Sequence, residues 1–317
     1  MNTPGDNRTG PTVGPETPVW FITGCSRGLG ASLAARVLEQ GFRLIATARN
    51  PADLTELARF ESDRCQVLAL DVRNAEEVKV VVRQAAGIYG RLDVVVNNAG
   101  HGLVGALEEI SDVEITQNFA TNFFGPLHVI RAALPILRAQ RRGHIVNISA
   151  AAAISNYPGF SIYGAAKSAL EGMSEALAAE VRPLGIRVTL VQFGPLRTGF
   201  LGGTLDAASS TLADYQASSG KFQRVLASLR GRETGDPARA AEAIMATVAA
   251  ETSPLRLVLG KYATEKVRRK LTTTARELEA AAGLAGTLEF GPELSEGSAS
   301  ESGSSGRVLR AEGSAHG

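Results

Sequence analysis

The sequence has few features of a secreted, membrane-spanning or nucleic-acid-binding protein. Only two of its 317 residues are cysteines, Cys25 and Cys65, which is too few for a disulfide framework and indicates a reducing compartment. With 33 basic and 32 acidic residues, the net charge of +1 favours neither nucleic acid nor an anionic membrane surface. No apolar run is long enough to span a bilayer, and residues 1–17 lack the apolar core of a signal peptide. We therefore expect a soluble, cytoplasmic protein.

Composition divides the chain into three parts. Residues 1–17 are polar and rich in proline and glycine, and residues 284–317 are a low-complexity stretch of glycine, serine and glutamate, so both are predicted to be disordered. Residues 18–283 alternate β-rich runs with helical patterns, which predicts one α/β catalytic domain with a parallel sheet and helices on both faces. Within it, about residues 196–233 are irregular, which suits either a lid over a site or a merely mobile connection.

A glycine-rich turn follows the first predicted strand, residues 19–23, and leads into a helix. The turn has the sequence TGCSRGLG, with the glycine spacing G-x-x-x-G-x-G. Glycines let the backbone approach a pyrophosphate, and a helix N-terminus directs free N–H groups and its dipole at the anion. A tight structural turn is the alternative, but the strand–turn–helix order favours a dinucleotide cradle. Its predicted members are Gly24, Ser26, Arg27, Gly28, Leu29 and Gly30.

Two arginines near this cradle bear on the choice of cofactor. Arg49 ends the second predicted strand nineteen residues after Gly30, where a dinucleotide fold places the residue that contacts the adenosine ribose. An acid there would bind the 2′-hydroxyl of NAD, whereas an arginine suits the 2′-phosphate of NADP. Arg27 is placed to add a second cation. Either arginine alone would suit a solvated surface equally well; as a pair they predict NADP(H).

A tyrosine and a lysine four residues apart carry the predicted proton chemistry. Tyr163 and Lys167, in the sequence YGAAK, lie in an alanine-rich apolar run, residues 162–181, whose pattern predicts a helix. Residues four apart share a helix face, and a lysine beside a phenol favours the phenolate and eases proton transfer. Isolated pairs of this kind are common by chance on exposed helices, so this pair carries weight only with the other motifs.

Six stretches in register resemble the short-chain dehydrogenase/reductase family. They are TGCSRGLG at 23–30, LDV at 70–72, NNAG at 97–100, Asn122, NIS at 147–149 and YGAAK at 163–167. The resemblance covers roughly residues 18–260 and implies a single Rossmann-type, doubly wound domain with a seven-stranded parallel sheet. It also implies hydride transfer between NAD(P) and a carbonyl or alcohol carbon. A homodimer or homotetramer, formed through the helices of Asn122 and Tyr163, is implied as well.

The resemblance implies further contacts with the cofactor beyond the glycine-rich turn. Residues after the third strand would meet the adenine, the NNAG turn would lie along the ribose and stabilise the central strand, and a threonine would touch the carboxamide or the phosphates. These residues are Asp71, Val72, Asn98, Ala99, Gly100 and Thr198.

Three other matches concern the reaction itself. Tyr163 would be the acid/base, and Lys167 would hold the hydroxyls of the nicotinamide ribose and lower the pKa of the tyrosine. Asn122 would hold a water in a proton relay through Lys167. Because a hydride arriving at a carbonyl leaves an alkoxide, the site needs one proton donor and one or two oxyanion donors. The expected partner is a small-molecule carbonyl or alcohol substrate, with no nucleic acid, membrane or metal site.

The sequence departs from the family pattern at the catalytic serine. Ala150 occupies that position, one residue after Ser149, so the hydroxyl that would polarise the carbonyl is missing. Successive side chains on a strand point to opposite faces, so Ser149 should not simply substitute, although a local bulge would re-aim it as a catalytic donor. Ser155, Asn156 or Ser161 could reach in from the following loop. Loss of one oxyanion donor typically costs on the order of 10²–10³ in rate.

The function that follows is NADPH-dependent reduction of a ketone, or the reverse oxidation of an alcohol, with Tyr163 as acid/base. Apolar and aromatic residues near the predicted pocket indicate a bulky, largely apolar or aromatic substrate; they are Tyr157, Phe160, Phe200 and Leu201. The main alternative is a weakened homologue that binds NADP(H) as a sensor or scaffold, because a regulator tolerates the loss of the serine. Epimerisation or dehydration on the same fold is a third candidate.

Overall fold

The computed structural model describes residues 16–59 and 63–285, so most of the predicted leader and tail lies outside the described residues. The strands, in chain order, are β1 (Val19–Ile22), β2 (Arg43–Ala48), β3 (Cys65–Ala69), β4 (Val94–Asn97), β5 (Gly102–Val104), β6 (Gly143–Ile148), β7 (Ile186–Phe193), β8 (Leu205–Ala207) and β9 (Arg256–Leu259). The helices are α1 (Gly28–Glu39), α2 (Ala75–Tyr89), α3 (Asp112–Phe119), α4 (Gly125–Gln140), α5 (Ser161–Val181), α6 (Ser219–Leu229), α7 (Pro237–Ala249) and α8 (Lys261–Ala285).

Seven of these strands form one parallel sheet in the order β3-β2-β1-β4-β6-β7-β9. The resemblance implies this number of parallel strands. The chain starts at β1, moves outward through β2 to β3, and then crosses to β4 on the other side of β1. The strand order therefore reverses between β1 and β4. In open parallel sheets, ligands bind beyond the carboxyl ends of the strands at such a point. The predicted glycine-rich turn follows β1, and the NNAG turn follows β4.

Helices cover both faces of the sheet because β1 is apolar at every position. Trp20 and Ile22 pack into one hydrophobic cluster with α1 and α7, whereas Val19 and Phe21 pack into a second cluster with α2, α4 and α5. This alternation follows from the two-residue period of a strand, and continuous hydrophobic strands are typical of sheets covered on both sides. A fully buried leucine such as Leu33 on α1 contributes about 1.5–3 kcal/mol by leaving water. The predicted doubly wound architecture is confirmed.

Two predicted segments differ from the structure. The helix expected over residues 113–140 is interrupted by a π-helical turn, Ala120–Phe124, which separates α3 from α4. The stretch expected to be irregular after residue 200 is largely ordered: a π-helical turn, Phe200–Thr204, leads into β8, which pairs with β5, and α6 follows. Phe222, Leu226 and Leu229 of α6 pack into the interior. Because glycine, serine and alanine are frequent in this region, its composition does not indicate a helix.

The chain forms two compact units, residues 1–268 and 269–317, and α8 contains the boundary. The last helix is predicted over residues 262–282 and extends in the structure to Ala285. In the second unit, Leu271 and Leu278 on this helix are exposed. No helix within the described ranges has both the length and the apolar character needed to cross a bilayer.

Candidate active site

The glycine-rich turn has the geometry of an anion cradle. Gly24 and Gly28 adopt positive φ values of 70° and 61°, which side chains other than glycine rarely tolerate. A Cβ at Gly30 would collide with the carbonyl oxygen of Gly24 and the amide of Asn98, so only glycine permits this close approach. No side chain in the described structure caps the start of α1. The free N–H groups at this helix start and the bare backbone around them fit a cofactor pyrophosphate.

Hydrogen bonds connect the NNAG turn to the glycine-rich turn. Thr23 Oγ1 accepts hydrogen bonds of 3.0 Å from the N–H groups of both Asn98 and Ala99. The Asn98 side chain in turn donates to the carbonyl oxygens of Thr23 at 2.9 Å and Gly24 at 3.0 Å. Asn98 thus joins the ends of β1 and β4. Its contact with the cofactor ribose stays a prediction.

The predicted adenine end contains an arginine that the sequence analysis did not include. Arg73 donates to both carboxylate oxygens of Asp71, with Nε at 2.9 Å from Oδ1 and Nη2 at 2.5 Å from Oδ2. This pairing lowers the pKa of Asp71, and the charge of Arg49 lowers it further. Arg49 is exposed, and its electrostatic effect on Asp71 indicates that the two side chains lie in the same region. Their contacts with the cofactor stay a prediction. The two-residue spacing of Asp71 and Arg73 was the available sequence signal.

Arg27 lies towards the segment after β7. Its Nη1 atom is 3.2 Å from the position that a Cβ of Gly203 would occupy, in the π-helical turn before β8. Nearby, a Cβ at Gly28 would approach the Cβ of Thr198 to 2.9 Å. Thr198 therefore lies directly against the glycine-rich turn, and its contact with the cofactor stays a prediction. The action of Arg27 and Arg49 on one phosphate stays a prediction.

Tyr163 and Lys167 are both buried on one face of α5. Lys167 Nζ donates to the carbonyl oxygen of Ile148 at 2.9 Å and lies 6.0 Å from the centre of the Tyr163 ring. Burial lowers the pKa of Lys167 to about 8, and the negative charge of Glu171 opposes this shift. Burial raises the pKa of Tyr163 well above its usual value. The lowering of the tyrosine pKa by Lys167 that the resemblance implies stays a prediction, and burial of the phenol acts against it.

Asn122 lies in the π-helical turn between α3 and α4. Its Nδ2 donates to the carbonyl oxygens of His101 at 2.8 Å and Asn118 at 3.1 Å. Its Oδ1 is buried and has no hydrogen-bond partner among the described residues. A methyl group at Gly100 would lie 2.8 Å from this oxygen and 3.5 Å from Lys167 Nζ. An unpaired buried acceptor next to an ammonium suits a bound water, and π-helical turns are frequent at functional sites.

The end of β6 places Ser149 and Ala150 on opposite sides. Ser149 Oγ is buried and donates to Glu171 Oε1 at 2.6 Å, whereas Ala150 packs in the apolar cluster that contains Tyr163. The side facing Tyr163 therefore carries a methyl group, as strand alternation predicts. Of the proposed substitutes, the Asn156 amide donates to the Phe160 carbonyl at 3.2 Å. The catalytic role of Ser149 stays untested, and its hydroxyl is already engaged by Glu171.

An aromatic cluster borders Tyr163. Phe160 packs edge-to-face against the Tyr163 ring, with the ring centres 5.1 Å apart. The centre of the Phe200 ring, in the π-helical turn before β8, lies 6.0 Å from that of Tyr163. Phe222 on α6 stacks on Tyr157 at 4.8 Å with an interplanar angle of 14°. The residues predicted from sequence lie in this cluster, and Phe222 and Leu226, which the sequence analysis missed, join it from α6. Only the helical spacing within residues 219–229 signalled them.

His101 joins the NNAG turn to the segment after β7. Its Nε2 is 3.9 Å from Asp206 Oδ2 on β8, and burial lowers its pKa. The strands that follow the NNAG turn and the π-helical turn, β5 and β8, pair in parallel next to this contact. The segment that carries Phe200 is thus held against the NNAG side of the site.

Comparisons with known proteins agree with this geometry. The family model described as short chain dehydrogenase matches residues 18–207. Oxidoreductase BOA17 of Botryotinia fuckeliana is 38% identical over 250 residues, which are 78% of this chain and 91% of that protein. A 3-ketodihydrosphingosine reductase of Bacteroides thetaiotaomicron is 37% identical over 243 residues, covering 76% of this chain and 87% of the relative. The crystal structure of a short-chain dehydrogenase from Streptomyces avermitilis is 36% identical with a TM-score of 0.82, covering 87% of this chain and 100% of that one.

Sequence motifs, sheet order, the glycine cradle and the buried Tyr–Lys pair thus coincide with a family match over more than half of the chain. The residues present also fit a nicotinamide dinucleotide, since the cradle admits a pyrophosphate and Asn122 keeps a free acceptor beside Lys167. The chain belongs to the short-chain dehydrogenase/reductase family and is an NAD(P)-dependent oxidoreductase.

Proposed function

We propose that the protein uses NADPH to reduce a ketone on a bulky, largely apolar or aromatic small molecule, or oxidises the corresponding alcohol in reverse. The observation that carries this proposal is the position of Tyr163. Its phenol is buried in an apolar and aromatic cluster, with Lys167 one helical turn behind it. A bulky apolar ketone can pack against that cluster and present its oxygen to the phenol.

The residues of this chain provide the proton chemistry. When bound, NADPH supplies the hydride that converts the carbonyl carbon to an alkoxide. Tyr163 is neutral at ordinary pH because burial raises its pKa, so its hydroxyl can donate a proton to the alkoxide oxygen. The charged Lys167 then stabilises the phenolate until a proton returns. Asn122 Oδ1, unpaired within the described structure and adjacent to Lys167 at Gly100, would hold the water that passes this proton on.

The arginines support a preference for NADP(H). Arg49 stands at the end of β2 instead of an acid, is exposed, and acts electrostatically on Asp71 at the adenine end. A guanidinium there attracts a 2′-phosphate and leaves the 2′-hydroxyl of NAD without its usual acceptor. Arg27, at the start of α1, would add a second positive charge to the cradle.

The substrate class is proposed from the walls of the site. Tyr157, Phe160, Phe200 and Phe222 offer aromatic surface. The ammonium of Lys266 lies over the Tyr157 ring, 3.6 Å from its centre. The Bacteroides relative bears the name of a reductase of a keto compound, 3-ketodihydrosphingosine. An apolar ketone suits both the aromatic surface and this name. We further propose that the protein acts in the cytoplasm as a homodimer or homotetramer.

A second candidate function rests on Ala150. The methyl group at the position that faces Tyr163 removes one oxyanion donor, and this loss typically costs on the order of 10²–10³ in rate. A protein that binds NADP(H) as a sensor or scaffold would tolerate that loss. The two candidates differ in turnover and agree in nucleotide binding.

The experiment is a screen of NADPH oxidation by the purified protein against cyclic, aromatic and long-chain ketones, with Tyr163→Phe as the matched control. Ketone-dependent oxidation that the control lacks would establish the reductase. Tight NADPH binding with no ketone-dependent oxidation across the panel would contradict it and favour the sensor. Activity retained by Tyr163→Phe would show that another group is the acid.

A further inference from the structure

We propose that Glu171 is a positioning residue that acts through Lys167, fixing the end of β6 at the active site and keeping the lysine ammonium charged. The inference rests on the proposed function, in which the charged Lys167 serves the reaction at Tyr163. Neither the sequence motifs nor the family resemblance assigned a role to Glu171. Its position in the structure gives it one.

Glu171 continues the helix face that carries the active residues. Tyr163, Lys167 and Glu171 are each four residues apart on α5, so their side chains follow one another along one face. Lys167 Nζ binds the carbonyl oxygen of Ile148 at 2.9 Å, and Glu171 Oε1 accepts from the next residue, Ser149, at 2.6 Å. Two successive residues at the end of β6 are thus held by two successive turns of α5.

The carboxylate of Glu171 is also bound from the two neighbouring strands. It is only 3% exposed. Gln192 Nε2 on β7 donates to its Oε1 at 2.6 Å, and Arg256 Nε on β9 donates to its Oε2 at 3.2 Å. A buried carboxylate is costly unless it is paired and hydrogen-bonded, and here three strands satisfy it. The network therefore locks α5 to β6, β7 and β9 directly behind Lys167.

The groups around Glu171 neutralise its negative charge only in part, so the carboxylate still interacts with Lys167. Facing Glu171 are the neutral Ser149 and Gln192, and two cations, Lys167 and Arg256. Arg256 is partly exposed and shares its guanidinium with Glu175, whose Oε2 is 2.6 Å from Nη2. Solvent and Glu175 weaken the neutralisation of Glu171 by Arg256, whereas Lys167 is 4% exposed and poorly screened.

Lys167 has few other groups to hold its charge. Facing it are the phenol of Tyr163, the amide oxygen of Asn122 near Gly100, the Ile148 carbonyl and, at longer range, the imidazole of His101. Only Glu171 among the charged groups acting on Lys167 favours the ammonium, and even with it the pKa of Lys167 is about 8. Without the carboxylate, the lysine would lose its proton near neutral pH.

The test removes the charge and keeps the shape. In Glu171→Gln, the amide oxygen can still accept from Ser149, but the negative charge is gone. The matched control is Glu175→Gln, which lies one turn further along α5, also binds Arg256, and is exposed. Because the chain has only six lysines, the side-chain ¹⁵Nζ signal of Lys167 can be followed by NMR and assigned with Lys167→Met. The pKa of Lys167 is then read from a pH titration.

We expect the pKa of Lys167 to fall by about one unit or more in Glu171→Gln, because opposite charges four residues apart in a buried site interact by at least that much. In Glu175→Gln the pKa of Lys167 should change by less than about a few tenths of a pH unit. The alkaline limb of the pH–kcat profile should shift downward with the pKa in the first variant only. An unchanged pKa of Lys167 in Glu171→Gln overturns the inference, even if activity falls through a loss of packing.

Two further variants keep the test decisive. If Glu171→Gln does not fold, Glu171→Asp retains the charge at a greater distance, and a smaller fall of the Lys167 pKa is expected; no fall would overturn the proposal. The titration does not depend on turnover. Failure of the proposed function is seen separately, as NADPH binding without ketone-dependent oxidation, so the two failures are distinguishable.

Discussion

Replacing Ala150 by serine should raise the rate of ketone reduction. Ala150 has an extended backbone, with φ −150° and ψ 155°, which serine adopts without strain. It packs in the cluster that contains Tyr163 and Phe200, so a hydroxyl at this position would face the substrate carbonyl. The change adds a single oxygen atom.

The size of the gain follows from the worth of one oxyanion donor. Such donors are worth on the order of 10²–10³ in kcat, or about 2.7–4 kcal/mol of transition-state stabilisation. The gain should approach about 10²-fold if the site otherwise follows the family mechanism. It will be smaller if another group already polarises the carbonyl, or if the aromatic cluster has adapted its packing to the methyl group.

The assay is NADPH oxidation under single-turnover conditions with the best ketone from the screen, so that product release does not conceal the chemical step. Ser149→Ala is the control. Ser149 donates to Glu171 at 2.6 Å, and loss of a hydrogen bond to a buried charge should cost about 1–3 kcal/mol of stability. Its kcat should fall by less than about tenfold, because the hydroxyl lies on the opposite side of the strand end. Collapse of activity in Ser149→Ala together with no gain in Ala150→Ser would refute this reasoning and make Ser149 the oxyanion donor.

Four other variants or conditions test separate parts of the site. Tyr163→Phe should lower kcat by at least about 10²-fold, since it removes the proton donor, while NADPH binding followed by fluorescence stays nearly intact. Arg49→Asp should weaken NADPH binding and spare or improve that of NADH; equal affinity of the unmutated protein for both nucleotides would exclude the predicted preference. Phe222→Ala should raise KM for aromatic ketones more than for small aliphatic ones, because it removes the ring that stacks on Tyr157. Burial holds the pKa of His144 at about 3, so the unfolded state binds an extra proton below its ordinary value of about 6.5; urea unfolding should show stability falling as pH drops from about 6.5, by up to about 1.4 kcal/mol per unit, and His144→Gln should reduce this slope.

The fold could be predicted from sequence because its signals are local and repeated. Each strand of the sheet is a short apolar run, and each is followed by a helix with recognisable ends. Asp236, for example, precedes Pro237 and accepts from the N–H groups of Ala238 and Arg239 at the start of α7. Right-handed crossovers between such strands give a parallel sheet with helices on both faces. What failed was α6, because tertiary packing against Tyr157 and Phe160 orders a segment whose composition favours a loop.

The sequence indicates which candidate site residues lie close together but not their electrostatics. The partners Tyr163 and Lys167 follow from their spacing, but their pKa values depend on burial, which spacing does not encode. The ion pair of Arg73 with Asp71 is local and was within reach of the sequence. Glu171 contacts Gln192, 21 positions further along the chain, and Arg256, 85 positions further along. No local sequence pattern predicts contacts at such separations.

The raised pKa of Tyr163 bears on the direction of the reaction. A buried phenol is protonated at neutral pH and can donate to an alkoxide, which is a much stronger base, whereas alcohol oxidation would require the phenolate first. Burial also lowers the pKa of Lys167, and the negative charge of Glu171 opposes this shift. Reduction near neutral pH uses both groups in the forms that the protein favours. We therefore expect the reduction of the ketone to be the faster direction near pH 7, with oxidation gaining only as the pH rises.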